Sequence, residues 1–327
     1  MDRASASGAE GRRFDSFRGH VSNIRPSRAR ILYRRVLVFG LVALAIVLVL
    51  RQISEQVVPS AALNSPLEPI PVATPQYDCA GNNPISKSFL DEWSLEHSAD
   101  TFNFTVVDLV ENCTYSFGQP ETLFLTASTG KVMVAVATLS LVAAGSLNYA
   151  KVESDLAAAI TESDNRAANR LFKKINENQG IQSVIDDYGL ANTSVGKTWG
   201  TISTNSSDQA ILLDQVIGQQ ESPLPEAQRK ILRKLMASIN PTQDWGAGTG
   251  IPDDWTVAVK NGWYLAVAGD TTPVGLWRVN TVGYIWDAKD KPRWIFTGYS
   301  NNWKTQERGI SAWDAISNEL VVTLGKR

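Results

Sequence analysis

Histidine is scarce in this chain of 327 residues, which contains only His20 and His97. Neither belongs to a catalytic motif, and the Gly-x-Ser-x-Gly turn of many serine hydrolases is missing from the sequence. A serine–histidine–carboxylate triad is therefore disfavoured. If the chain is a hydrolase, its base is expected to be a lysine, because burial near other cations lowers a lysine pKa enough to accept a proton from serine.

An excess of positive charge is also missing, because the net charge is −2. A nucleic-acid partner is therefore not expected. Nine arginines nevertheless lie within residues 1–35, and the uncharged stretch VLVFGLVALAIVLVL follows at residues 36–50, closed by Arg51. This pattern predicts a basic cytoplasmic tail (1–35), a single membrane-spanning anchor (36–51) and an extracytoplasmic remainder. The alternative is a cleaved signal peptide, which would also export the domain.

Five prolines interrupt residues 52–78, which indicates an extended linker before a folded domain at 79–327. The chain has only two cysteines, Cys79 and Cys113, both in the part predicted to be exported. An even count in an oxidising compartment favours a disulfide closing a loop of about 34 residues, with two buried thiols as the alternative. CxxC pairs and Cys/His clusters are missing, so neither a structural metal nor a cofactor is expected.

The hydrophobic pattern predicts strands near both ends of the domain and helices between them. The strand-like segments are Phe102–Asp108, Thr114–Gly118, Thr256–Lys260, Leu276–Trp286 and Pro292–Tyr299. The helical segments are Val132–Ala144, Asp164–Lys174, Ser207–Ile217, Glu226–Ser238 and Ile310–Leu324, and Gly145 is a plausible stop for the first. This order predicts an α/β domain in which one sheet is built from both termini and flanked by helices.

The first candidate motif is Ser128-Thr129-Gly130-Lys131, at the start of the apolar helix. Residues three apart share a helix face, so Lys131 can reach the hydroxyl of Ser128 and act as its base. The same spacing recurs at Ser194 and Lys197, but only the first copy precedes a long apolar helix, whose burial would lower the lysine pKa.

Two further motifs follow in the chain. Ser163-Asp164-Asn165 stands at a predicted helix start, where Ser163 could relay a proton and Asn165 could bind a substrate amide. Lys260-Asn261-Gly262 ends a predicted strand, where Lys260 could bind a carboxylate, Gly262 would allow substrate to approach, and the N–H of Trp263 could stabilise an oxyanion.

Taken in order, SxxK, SDN and KxG make the sequence similar to class A β-lactamases and penicillin-binding proteins over roughly residues 95–325. The resemblance implies a five-stranded, mainly antiparallel sheet with an inserted helical subdomain. It also implies Ser128 as the acylated nucleophile, with Lys131 and Ser163 catalytic. The residues expected to bind substrate are Asn165, Lys260, Asn261, Gly262 and Trp263.

The sequence departs from this family where a glutamate normally activates the deacylating water. That position falls on Gly200, and no glutamate occurs between Glu177 and Glu221. Asn261 also replaces the usual threonine or serine. The expected function is therefore an acyl-enzyme hydrolase on β-lactams or peptidoglycan stem peptides, with slow deacylation. The alternatives are a non-catalytic cell-wall binding protein and a serine esterase or amidase on other acyl substrates.

Overall fold

An antiparallel sheet forms the centre of the fold. The computed structural model describes residues 76–77, 83–97, 100–119, 121–218, 221–268, 270 and 272–326. In spatial order the strands are β1 (Gln76–Tyr77), β3 (Cys113–Gly118), β2 (Thr101–Asp108), β8 (Pro292–Asn301), β7 (Trp277–Trp286) and β6 (Thr256–Leu265). The predicted sheet from both termini is confirmed, and its five long strands gain the two-residue β1 at one edge.

A second, two-stranded sheet pairs β4 (Phe124–Leu125) with β5 (Ser203–Thr204). Eight α-helices lie within the described residues. They are α1 (Lys87–Glu96), α2 (Lys131–Ala143), α3 (Glu153–Thr161), α4 (Asn165–Lys174), α5 (Asn178–Tyr188), α6 (Ser206–Ile217), α7 (Glu226–Met236) and α8 (Gln306–Leu324). The five helices predicted individually are confirmed, with ends shifted by a few residues.

Two apolar clusters are built on the sheet strands. One joins helices α2 to α7 to β7 and β8, and the other joins α1 and α8 to β2, β3 and the same central strands. All residues from Lys131 to Leu139 are buried, as expected for a helix that is hydrophobic on every face. Burying each large aliphatic side chain stabilises the fold by about 1.5–3 kcal/mol, so α2 is a rigid base for residues at its start.

Gly145 ends α2, as the sequence predicts. Its φ of +73° is in the left-handed region, and the N–H of Ser146 donates to the carbonyl of Leu141 at 2.9 Å. This backward bond satisfies a carbonyl that the last helical turn leaves unpaired.

The predicted membrane anchor is not supported. Among the residues that the structure describes, no helix is both long and apolar enough to span a bilayer. The segment 36–51 and the tail 1–35 lie outside those residues, as does most of the linker 52–78. Attachment by a single-pass helix and the extracytoplasmic location that depended on it are therefore withdrawn. Within the predicted linker, Gln76–Tyr77 instead pair with β3, because that strand leaves an edge free for backbone hydrogen bonds.

The predicted Cys79–Cys113 bridge is not described either, because Cys79 lies outside the described residues. Cys113 is buried at the first position of β3. No disulfide joins two residues of the described ranges, and the bridge is set aside.

Candidate active site

Ser128 lies in a short 3₁₀ helix, Ala127–Gly130, that continues directly into α2. The turn begins with Ala127 at a φ of +49°, a left-handed conformation that costs a residue with a Cβ about 1–2 kcal/mol. The N–H of Thr126 donates to the carbonyl of Ile202 at 2.9 Å and helps to hold this entry. The hydroxyl of Ser128 is thus presented at the start of a buried helix, as the sequence predicts.

Gly262 packs directly against this turn. A Cβ at Gly262 would lie 2.7 Å from the nitrogen of Ser128 and 2.8 Å from that of Thr129, closer than real Cβ atoms approach such groups. Only glycine therefore allows β6 to run beside the nucleophile. Because β6 is an edge strand of the main sheet, some of its backbone N–H groups have no strand partner on that side.

Lys131 connects the first two motifs. Its Nζ donates to the Oγ of Ser128 at 3.0 Å, the carbonyl of Ser163 at 2.5 Å, the Oγ of Ser163 at 3.0 Å and the Oδ1 of Asn165 at 2.8 Å. A carbonyl and an amide oxygen can only accept, so they hold two N–H groups of the amine. The third hydrogen-bonding direction of the amine faces the hydroxyls of Ser128 and Ser163. A neutral amine would direct its lone pair there, to the hydroxyl of Ser128.

Burial makes the neutral amine accessible. Lys131 is 1% exposed, and desolvation lowers the pKa of its ammonium from 10.5 to about 7, although the carboxylate of Asp164 acts in the opposite direction. A lysine with a pKa near neutrality can take the proton of a serine hydroxyl. The base predicted from the spacing is therefore in reach and has a suitable pKa.

Ser163 lies between two ammonium groups. Its φ is +55°, in the turn between α3 and α4, and its Oγ accepts hydrogen bonds of 3.0 Å from both Lys131 and Lys260. Asp164 caps α4 by accepting from the N–H of Ala167 at 2.6 Å, which fixes the turn. The hydroxyl of Ser163 can thus pass a proton between neighbours.

Lys260 is fully buried on β6, where its Nζ also donates to the carbonyl of Asn261 at 2.8 Å. Desolvation, with repulsion from Lys131, holds the pKa of Lys260 well below its ordinary value. Among the described residues, each hydrogen bond that these two ammonium groups donate is accepted by a neutral oxygen. An anionic substrate group would therefore relieve a local excess of positive charge.

The side chain of Asn261 binds backbone carbonyls of a neighbouring segment. It is fully buried, and its Nδ2 donates to the carbonyls of Gln243 at 2.7 Å and Trp245 at 2.8 Å. Successive strand residues point to opposite faces, so Asn261 lies on the face opposite Lys260 and Gly262. The structure therefore leaves this amide no donor for a substrate carboxylate, contrary to the role expected from the sequence.

A cleft of about 320 Å³ lies beside Ser128. Its lining combines the nucleophile turn, the start of α4, the segment 198–201 and parts of β6, β7 and the loop between them. The contributing residues are Leu125, Ala127, Ser128, Asn165, Thr198, Trp199, Gly200, Thr201, Trp263, Tyr264, Asp270 and Arg278. Trp263 is thus at the cleft, as predicted, whereas Asp270, in the loop after β6, and Arg278, on β7, were not foreseen.

Arg278 is a functional candidate that sequence reasoning missed. It is 1% exposed on β7, and its guanidinium donates to Asp270 at 3.0 Å, Thr272 at 2.8 Å and Asn301 at 2.8 Å. An arginine inside a largely apolar strand was the available signal, since such a charge is buried only with partners. It contributes a cation to the cleft lining, and the carboxylate of Asp270 compensates it.

The segment Trp199–Thr201 occupies the place where the family resemblance would put a catalytic glutamate. The nearest glutamate before Ser163 is turned elsewhere, because Glu162 accepts from the amide of Asn240 at 2.7 Å. The indole of Trp199 instead faces the base, with its ring centroid 4.6 Å from the Nζ of Lys131.

Comparisons with known proteins agree with this fold. Among solved structures, a β-lactamase from Xanthomonas campestris superposes with a TM-score of 0.60 at 21% identity, covering 73% of this chain and 98% of that one. An ancestral class A β-lactamase gives a TM-score of 0.59 at 21% identity, over 72% of this chain and 98% of that one. The chromosome-encoded β-lactamase of Vibrio parahaemolyticus gives a TM-score of 0.60 at 16% identity, covering 72% of this chain and 97% of that one. At these identities the likeness shows the fold.

In sequence, the chain is 34% identical to Beta-lactamase 1 of Bacillus cereus over 113 residues, which are 32% of this chain and 37% of that relative. The match thus spans little more than a third of the relative. The Beta-lactamase2 family, described as the beta-lactamase enzyme family, matches residues 150–324. That range includes Ser163, Asn165 and Lys260, and begins after Ser128 and Lys131. With this match over more than half of its length and a class A fold, the chain belongs to the β-lactamase enzyme family.

Proposed function

We propose that this protein is a serine hydrolase that forms an acyl-enzyme on Ser128 and releases the acyl group slowly. The substrates proposed are β-lactams or peptidoglycan stem peptides, because both offer a carbonyl to a nucleophile and a carboxylate to a cationic site. The observation that carries the proposal is the hydrogen-bonded series Ser128–Lys131–Ser163–Lys260, in which each polar atom lies within 3.0 Å of the next.

In the acylation step, the Oγ of Ser128 attacks the substrate carbonyl carbon and its proton passes to the neutral Nζ of Lys131. The C–N bond then breaks, and the leaving nitrogen takes a proton from the Oγ of Ser163, which recovers one from Lys131. The backbone N–H groups of Ser128 and Trp263 are the proposed donors to the oxyanion, since β6 runs against the nucleophile turn at Gly262.

Substrate binding is assigned to Lys260 and Asn165. The ammonium of Lys260, already bonded to Ser163, is placed to hold a substrate carboxylate, and Asn165 can bind a substrate amide while it orients Lys131. A carboxylate beside these groups gains Coulomb attraction in a site shielded from water.

Deacylation requires activation of a water molecule. The position where the family resemblance expects a glutamate is Gly200, and the carboxylate of Glu162, beside Ser163, accepts from the amide of Asn240. Loss of a general base slows a proton-transfer step by about 10²–10⁴. The acyl-enzyme is therefore expected to accumulate.

The test is intact-mass spectrometry of the full-length protein after exposure to a fluorescent penicillin, beside Ser128→Ala and Lys131→Ala. We expect a persistent adduct on the wild type and none on either variant. A wild type that stays unmodified while it cleaves simple esters would point to an esterase. A wild type with neither reaction would point to a non-catalytic binding protein.

A further inference from the structure

We propose that Trp199 shields the acyl-enzyme from water and is a determinant of its slow release. This inference rests on the proposed acylation of Ser128 and adds a residue to it. The family resemblance accounts for a missing carboxylate, but it does not say what occupies the space beside the base.

The first support is the position of the ring. The Nζ of Lys131 is bonded to two hydroxyls, one carbonyl and one amide oxygen, and the indole of Trp199 covers a further face at 4.6 Å from its centroid. A water molecule that attacks the Ser128 ester needs a base within hydrogen-bonding reach. The ring occupies space from which such a water could contact Lys131.

The second support is that Trp199 is held both through its indole nitrogen and through its backbone carbonyl. Its Nε1 donates to the Oδ1 of Asn169 on α4 at 2.8 Å, and the backbone carbonyl of Trp199 accepts from the Oγ1 of Thr126 at 3.0 Å. Gly130 packs so closely against that carbonyl that a Cβ there would overlap it. The ring therefore cannot swing aside without breaking its hydrogen bond to α4, and the backbone from which it extends is held against the nucleophile turn.

The third support is the local turn itself. The Oγ1 of Thr201 accepts from the N–H of Thr198 at 2.9 Å, and the N–H of Thr201 donates to the carbonyl of Thr198 at 3.0 Å. This capping box closes the 3₁₀ turn around Trp199. Apolar groups that exclude water from a reactive intermediate slow its hydrolysis, and this turn holds such a group against the base.

Shielding by Trp199 affects the rate of acyl release but not the rate of acylation. Acylation needs Ser128, Lys131 and Ser163 but no water, so it should not depend on the ring. Release of the acyl group needs a water beside Lys131, so removal of the ring should accelerate it. A residue that only stabilised the fold would not change one rate and leave the other.

The experiment measures both rates on full-length protein. Wild type, Trp199→Ala, Trp199→Phe and Asn169→Ala are acylated with a fluorescent penicillin, and adduct decay is followed after a chase with unlabelled penicillin. Trp199→Ala should keep the acylation rate within a few-fold and lose the adduct about 10²-fold faster, the lower end of what a positioned proton acceptor provides. Trp199→Phe keeps a ring but loses the hydrogen bond to Asn169, so its adduct should decay more slowly than that of Trp199→Ala and at about the rate of Asn169→Ala.

Asn169→Ala frees the indole without removing it, and its adduct should decay at an intermediate rate. If Trp199→Ala does not fold, the decay rate of the Asn169→Ala adduct alone tests whether the ring shields the acyl-enzyme. Adducts of Trp199→Ala and Asn169→Ala that live as long as the wild-type adduct would overturn the role of Trp199 and leave Ser128 acylation intact. Equal decay of the Phe and Ala variants would overturn shielding by the ring. A wild type without any adduct would remove both this inference and the proposed function.

Discussion

The Oγ of Ser163 lies 3.0 Å from the Nζ of Lys131, although the two residues are 32 positions apart in the chain. The same hydroxyl accepts from Lys260, almost a hundred residues further on. One serine thus connects the base at the start of α2 with the cation on β6, and each prediction below depends on that connection or on the packing that maintains it.

Ser163→Ala should reduce the acylation rate by about 10²-fold, a typical loss for a proton-transfer group, while the fold is retained. The hydroxyl both bridges the two lysines and supplies the leaving-group proton. The rate is measured with a chromogenic or fluorescent β-lactam under single-turnover conditions.

The matched control lies in the second copy of the SxxK spacing. Ser194→Ala and Lys197→Ala alter exposed side chains outside the cleft lining and should acylate like the wild type. A loss in these variants as large as that of Ser163→Ala would remove the distinction between the two copies.

The acylation rate should rise with pH through about 7 and then level off, because the base is the neutral form of Lys131, whose pKa burial lowers to about 7. Below that pH the amine is protonated and cannot take the serine proton. Rates at saturating β-lactam from pH 5 to pH 9 would show the rise. Lys131→Arg should be inactive over the whole range, since a guanidinium stays protonated. A flat profile would argue against lysine as the base.

Gly262→Ala should abolish acylation, because the new Cβ would lie 2.7 Å from the nitrogen of Ser128 and must displace either β6 or the nucleophile turn. Gly200→Ala is the matched control, since a Cβ there meets nothing closer than 3.8 Å. Adduct yield and the thermal denaturation midpoint are measured for both variants. Full acylation of Gly262→Ala would show that the strand and the turn are less tightly coupled than the packing indicates.

Asn261→Ala should lower the free energy of unfolding by about 2–4 kcal/mol, because it leaves two carbonyls, of Gln243 and Trp245, without their buried donor. Penicillin affinity of the folded fraction should change little, since this amide points away from Lys260. Urea denaturation and binding at a temperature where the variant is folded separate the two effects. A stable variant with strongly weakened binding would restore the substrate-binding role expected from the sequence.

Gly200→Glu should shorten the lifetime of the acyl-enzyme by about 10²-fold or more, the range for a general base placed beside a reacting water. The position lines the cleft beside Ser128, and its Cβ would have room. Gly200→Gln has the same size without a carboxylate and should keep the long lifetime. If the two variants release the acyl group at equal rates, the missing acid is not what limits deacylation.

The sequence alone determined the identity of the motifs and the kind of element that carries each. The spacing of Ser128 and Lys131 places both on one face of a helix start, and the uniformly apolar stretch after them can only be a buried helix, which the structure confirms. Alternating patterns at the two ends likewise predicted the sheet. These features follow from local geometry and periodicity, which a sequence displays directly.

Tertiary structure decided where side chains point and which residues far apart in the sequence they contact. Strand pairing turned the amide of Asn261 toward Gln243 and Trp245, away from the site, and only the folded chain brought Trp199 over Lys131. Arg278 became part of the cleft because β7 places it beside Asp270. The physical reason is that side-chain environment, and with it the pKa of Lys131, is set by residues far apart in sequence whose packing no local pattern specifies.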